Sequence, residues 1–172
     1  MPKIITIIML FSFAFSGLGQ SLKLSELDSS EYFNFWEGKW NATWPEGDKL
    51  GKGTNVLTWI MGGTVLQEDF RILEGQSKGF IGGSISVFQP RTNTWRQAWA
   101  DSQGGYFDFR GAFEGDKRIF MTQPREINGK TVVQRMVFYD IKKDSFNWDW
   151  ESSNDEGETW NLNWRISYTR AD

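Results

Sequence analysis

Glu68 stands on a strand-like run in which Leu66, Phe70 and Ile72 share its face, so the run sets one carboxyl among apolar side chains. Arg135 stands the same way among Val133, Val137 and Tyr139, and Gln97 lies between Trp95 and Trp99. A charge taken inside a fold needs a partner, because desolvating it alone costs several kcal/mol. Two arrangements meet that need. Either Arg135 and Glu68 pair internally as structure, or Arg135 receives the carboxylate or phosphate of a ligand whose apolar body is held between aromatic walls. Trp95, Trp99, Trp148, Trp150 and Tyr139 are the candidate walls, with Arg135, Glu68 and Gln97 as the polar contacts.

Asp149 and Glu151 form a second carboxyl pair, two apart on one strand and so roughly 6–7 Å from each other. That is near the spacing at which paired acids hydrolyse glycosides. Their face, however, is opposite that of Phe146, Trp148 and Trp150. With the tryptophans inward, these acids are expected to be solvated.

The chain has neither histidine nor cysteine. Ser-His-Asp and Cys-His triads, His-ligated zinc and haem, thiolate chemistry and disulfides are all excluded. A general base has to be Asp, Glu, Lys or Tyr. No cluster of metal-ligand spacing is recognisable, and no metal or cofactor is expected. A net charge of −3 without basic clusters argues against nucleic acid and anionic membrane surfaces.

The elements that position these residues are strands. From Lys39 onward apolar residues recur with period two: Phe146-Asn147-Trp148-Asp149-Trp150-Glu151, the run Trp160 to Tyr168, and Phe107-Asp108-Phe109 leading to Phe113. Turn sequences separate the runs, among them Pro45-Glu46-Gly47-Asp48, Glu114-Gly115-Asp116, Asn128-Gly129-Lys130 and Asp155-Glu156-Gly157. This spacing predicts about ten antiparallel strands joined as consecutive hairpins, an all-β up-and-down barrel whose closure removes free edges. A two-sheet sandwich is the alternative. Helical signal is confined to one or two short turns between Leu22 and Trp36.

The chain's 172 residues suit one such domain, with tryptophan and phenylalanine distributed throughout and no low-complexity linker. Lys3, the apolar run Ile4 to Phe15 and the small residues Ser16-Gly17-Leu18-Gly19 read as a secretory signal peptide cleaved after Gly19. Residues 1–19 are therefore assigned to the signal and residues 20–172 to the barrel. The run is shorter than the about 20 apolar residues a membrane span needs. No later segment is apolar enough to insert after cleavage, so a periplasmic or secreted protein is expected. Oligomeric state is not legible.

Two motifs refine the picture. Phe33-Asn34-Phe35-Trp36-Glu37-Gly38-Lys39-Trp40 is a helical turn entering a strand through Gly-x-Trp. In calycin-type barrels the glycine turns the chain into the first strand, and the tryptophan plugs the closed end beneath a basic side chain. Arg165 and Arg170 are the candidates here. Ser153-Asn154-Asp155-Glu156-Gly157-Glu158-Thr159-Trp160 has the Asp-box pattern. Its aspartate folds onto turn amides, and its glycine takes a positive φ. Such boxes recur in sialidase-type propellers, but one copy cannot build four blades of four strands, so the segment reads as a structural hairpin. The sequon Asn41-Ala42-Thr43 lies in a strand, and Gly51-Lys52-Gly53 and Gly82-Gly83 lack the helix a phosphate loop requires.

The segment Phe33–Trp40 resembles the opening of a bacterial domain-of-unknown-function family with a calycin-like (lipocalin or fatty-acid-binding-protein type) barrel. Gly83-Ser84-Ile85-Ser86-Val87-Phe88, Thr94 through Asp101, Gly104-Gly105 and the Asp-box segment resemble it too. The resemblance implies the barrel and assigns no activity. Related small barrels that carry haem use a histidine, which this chain lacks.

The expected function is an exported barrel that binds a small apolar or amphipathic molecule. One rival is an enzyme on the same barrel (a cyclase, isomerase or hydratase) with Glu68 or Asp101 as acid or base and Arg135 stabilising charge. A raised Glu68 pKa would favour it, whereas a Glu68–Arg135 salt bridge would favour binding or structure. A second rival is a surface module for carbohydrate or protein, which requires a filled core and an exposed aromatic patch.

Overall fold

The computed structural model describes residues 23–172, so the expected signal segment lies outside the described residues. Three 3₁₀ turns, Leu24–Glu26, Ser29–Glu31 and Asn34–Trp36, precede eleven strands. These are β1 Gly38–Glu46, β2 Lys49–Ile60, β3 Val65–Glu74, β4 Ile81–Gln89, β5 Thr94–Asp101 and β6 Tyr106–Glu114. They continue with β7 Lys117–Thr122, β8 Arg125–Ile127, β9 Lys130–Tyr139, β10 Ser145–Ser153 and β11 Asn161–Arg170.

Every pairing is antiparallel, and β10–β9 and β1–β11 contacts close the sheet on itself. Ten strands form the ring. β8 stands outside it, paired only with the first residues of β9. Pro124, which has no N–H to give, separates β7 from β8 and ends the β7 ladder. Closure rules out the sandwich. The expected all-β barrel of about ten strands with a short N-terminal helical segment is the fold observed, and it is consistent with a calycin-like architecture. No helix among the described residues is long and apolar enough to cross a membrane.

Period two sets the inside. On β1 Trp40, Ala42 and Trp44 are buried, and on β3 Leu66, Glu68, Phe70 and Ile72 alternate with exposed Gln67, Asp69, Arg71 and Leu73. One end of the ring is plugged by the 3₁₀ segment. Phe33 stacks on Phe120 at 4.4 Å and meets Trp95 edge-on at 5.1 Å, while Trp36 meets Phe138 edge-on at 4.8 Å. Each such ring contributes about 1.5–3 kcal/mol by burial. Backbone carbonyls of the plug are taken up by barrel side chains. Trp40 Nε1 donates to Trp36 O at 2.8 Å, Trp95 Nε1 to Ser29 O at 2.7 Å and Arg118 Nε to Tyr32 O at 3.2 Å.

The Gly-x-Trp reading holds in detail. Gly38 has φ +114°, and a Cβ there would run into the Arg170 guanidinium. That guanidinium lies 4.0 Å from the centroid of the Trp40 ring. Of the two candidates Arg170 is the stacking residue. Arg165 lies on the outer face.

Candidate functional site

At the end opposite the plug the barrel holds a cavity of about 160 Å³. Four indoles wall it, Trp99, Trp148, Trp150 and Trp164, each only partly buried and so facing the mouth. Trp148 and Trp150 come from alternate positions of β10, and their planes lie 6° apart with centroids separated by 6.5 Å. Trp164 stands at 88° to Trp148 with centroids 5.8 Å apart, and Phe107 meets Trp150 edge-on at 5.5 Å. Trp99 pairs with Ser84 across the ladder and has room because its indole lies over Gly82, the diagonal neighbour on β4. Any side chain there would occupy the volume of the indole. Phe70, Phe109, Met136 and Ile166 complete the apolar lining, and Phe80 lies at the entrance. Phe80 and Trp164 also border an adjoining shallower cleft of about 330 Å³, next to Glu46 and Gln76.

The polar part of the wall is small. Glu68, 7% exposed, accepts from Asn55 Nδ2 at 2.7 Å and from Ser84 Oγ at 2.6 Å. Gln97 Nε2 in turn donates to Ser84 Oγ at 3.2 Å and Ser86 Oγ at 2.9 Å. Burial pushes the Glu68 carboxyl up to about 7, against the pull of the Ser84 and Asn55 hydrogen bonds. Tyr168, also on the cavity wall, has its phenol driven well above the ordinary value, first by burial and then by the nearby Glu68 charge. Of the described residues that line the cavity, these two alone ionise. Among the described residues no group of three or more His, Cys, Asp or Glu is placed to hold a metal ion.

Of the residues singled out from sequence, Glu68, Trp99, Trp148 and Trp150 meet at this cavity. Gln97 is buried behind it and reaches Glu68 through Ser84. Trp95 points inward but belongs to the plug. Arg135 and Tyr139 are not in the cavity, and Arg135 does not pair with Glu68. β9 turns Met136 and Phe138 inward and therefore Arg135, Val137 and Tyr139 outward. On the outside Arg135 Nε donates to Glu151 Oε2 at 2.6 Å, and the guanidinium lies 3.8 Å from the Trp160 ring centroid. Tyr139 donates to Asp149 Oδ1 at 3.3 Å.

The acid pair Asp149 and Glu151 is on the outer face, as the tryptophan parity required. It is not solvated, however. Asp149 is 4% exposed and grips Arg165 through both oxygens, at 2.8 and 2.6 Å. Cross-strand neighbours of opposite charge cover the two carboxylates. Asp101, named for the enzyme rival, holds a turn. Burial raises its pKa, but donation from Gly105 N, Gln103 N and the Trp99 indole outweighs this and holds it below the usual value.

The Asp-box hairpin has the geometry its sequence implies. Asp155 accepts from Ser153 Oγ, Thr159 N and Thr159 Oγ, and Gly157 has φ +95°. Its Trp160 leaves the inward parity of Trp164, Ile166 and Tyr168 to cover Arg135, where a bulge shifts the β10–β11 register after Trp150.

Trp164 and Tyr168 are the chief cavity residues that the sequence-derived site left out. The alternation Trp164-Arg165-Ile166-Ser167-Tyr168 already put them on one apolar face. No model of a known protein family matches the chain, and no curated protein matches it.

Proposed function

We propose that the protein is an exported barrel that takes a small apolar or amphipathic molecule into its open end. The observation that carries this is the half-sealed aromatic cavity of about 160 Å³ with a single carboxyl in its wall. Dry cavities of similar volume, about 150 Å³, take up a benzene ring. The ligand, or the part of it that enters, is of that size. Aromatic walls and a few polar groups are what orient a ligand of this kind. Export rests on the charged, apolar and small-residue succession over residues 1–19.

Native mass spectrometry of the mature protein, purified from its own secretion route and then denatured, tests the reading. A stoichiometric small molecule is expected. A protein that is empty and stays empty after incubation with lipid and terpenoid extracts would overturn it.

One observation favours the enzyme reading on the same barrel. Glu68, pushed up to about 7 in an apolar cavity, is matched to acid–base work near neutrality. Glu68 would then act without Arg135, which lies outside. The surface-module reading required a filled core, and the barrel holds a cavity.

A further inference from the structure

The hydrogen bonds around Glu68 have a direction. Gln97 donates to Ser84, and Ser84, having spent its only proton, donates to Glu68 Oε2. Asn55 donates to Glu68 Oε1. Both oxygens are therefore held as acceptors, the arrangement of an ionised carboxylate. A protonated Glu68 donating to Ser84 would leave the serine hydroxyl looking for a new acceptor. The surroundings are richer in acceptors still, since Asn55 Oδ1 and Gln97 Oε1 are buried with no hydrogen-bond partner among the described residues.

A carboxylate in such a place needs a counter-ion, and the described residues of the cavity wall offer none. No Lys or Arg lines the cavity among the described residues. The inward arginines Arg118 and Arg170 are at the opposite end, bonded to carbonyls of the plug. What faces Glu68 across the space is mostly indole and phenyl surface, with the neutral Tyr168 phenol nearby. The negative faces of these rings attract cations and repel anions.

We propose that the cavity is built for a small organic cation, an amine or methylated amine on a compact apolar body, with Glu68 as its counter-ion. The proposal rests on the ligand-carrier reading and narrows it to one charge class. The ammonium group would take the carboxylate, while Trp148, Trp150 and Trp164 hold the cation's methyl or methylene flank. A carboxylic acid of the same shape would meet like charge with nothing to offset it. A neutral body would fill the walls and leave Glu68 without a partner other than a proton.

Three probes of equal size separate these cases: benzylammonium, benzyl alcohol and benzoate, titrated calorimetrically into the full mature protein at about pH 8, above the Glu68 midpoint. Benzylammonium is expected to bind roughly ten- to thirtyfold more tightly than the alcohol, the ratio a desolvated cation–π contact alone would give, with benzoate weakest. Glu68→Gln is expected to weaken the amine more than the alcohol and so to shrink the preference toward what the aromatic walls give by themselves. Alcohol or benzoate binding as tightly as the amine would overturn the charge assignment while leaving the cavity reading intact. Binding of none of the three, nor of toluene, would overturn both. The comparison on the unaltered protein decides the matter even if the variant does not fold.

Discussion

The Arg170 guanidinium lies 4.0 Å from the Trp40 ring centroid, joining the last strand of the barrel to the first. It also donates to Glu37 O at 2.9 Å and to Lys143 O at 3.1 Å. One side chain thus ties the plug, the β9–β10 turn and the β1–β11 seam. Arg170→Ala should cost about 2–4 kcal/mol in urea unfolding, the sum of a covered cation–π contact and charge-assisted hydrogen bonds. Arg170→Lys should recover less than half, because one ammonium cannot reach the same carbonyls while lying flat on the indole. Wild-type stability of Arg170→Ala would show that the seam holds without it.

Glu68 should make the protein less stable as pH rises. Its folded pKa, about 7, is above the ordinary 4.5, so the native state holds this proton more tightly than the unfolded chain. Its contribution is fully present below about pH 4.5 and is lost progressively up to about pH 7, to a total of about 3 kcal/mol. Glu68→Gln should flatten the stability profile over that window. An unchanged slope in the variant would assign the pH dependence elsewhere.

Asp155 has the opposite sign. Hydrogen bonds from Ser153 and Thr159 hold its carboxyl down to about 2. Its contribution is present above the ordinary carboxylate pKa and lost as pH falls toward 2. Asp155→Asn should speed amide exchange at Gly157 and Thr159 and loosen Trp160 from Arg135, with little change at the cavity mouth. Unaltered exchange at Gly157 and Thr159 would mean that the backbone alone sets the hairpin.

Arg135→Met should leave ligand uptake unchanged and lower stability by about 1–3 kcal/mol, because it strands Glu151 on the outer wall. Loss of uptake with stability intact would return Arg135 to the site.

Phe80→Ala should merge the cavity with the adjoining cleft of about 330 Å³. The enlarged space would fall in the range of about 300–1,000 Å³ that accepts drug-sized molecules. Fluorescence of a bulky amphiphilic dye should therefore rise several-fold over wild type. No gain would show that another residue sets the size limit.

The strands, their number and the inward parity of Trp148, Trp150 and Glu68 were legible because each run had one apolar and one polar face. β9 was not, since Val133, Val137 and Tyr139 compete with Met136 and Phe138, and a one-residue change of face moved Arg135 from cavity to surface. Trp95 shows a different limit. Alternation tells which way a side chain points but not how far along the barrel axis it lies. That height follows from register between strands, which is why Trp95 and Trp99, on one face of β5, ended at opposite ends.

Among the described strands, each one in the ring has a neighbour on both sides, and β8, three exposed residues, two of them charged, rests on one. That strand is too short and too charged to template the addition of another chain. Strands this rich in tryptophan and phenylalanine would polymerise through any open edge. In this protein, loss of the native state and exposure of an edge are the same event, so its resistance to aggregation is set by how slowly the ring opens.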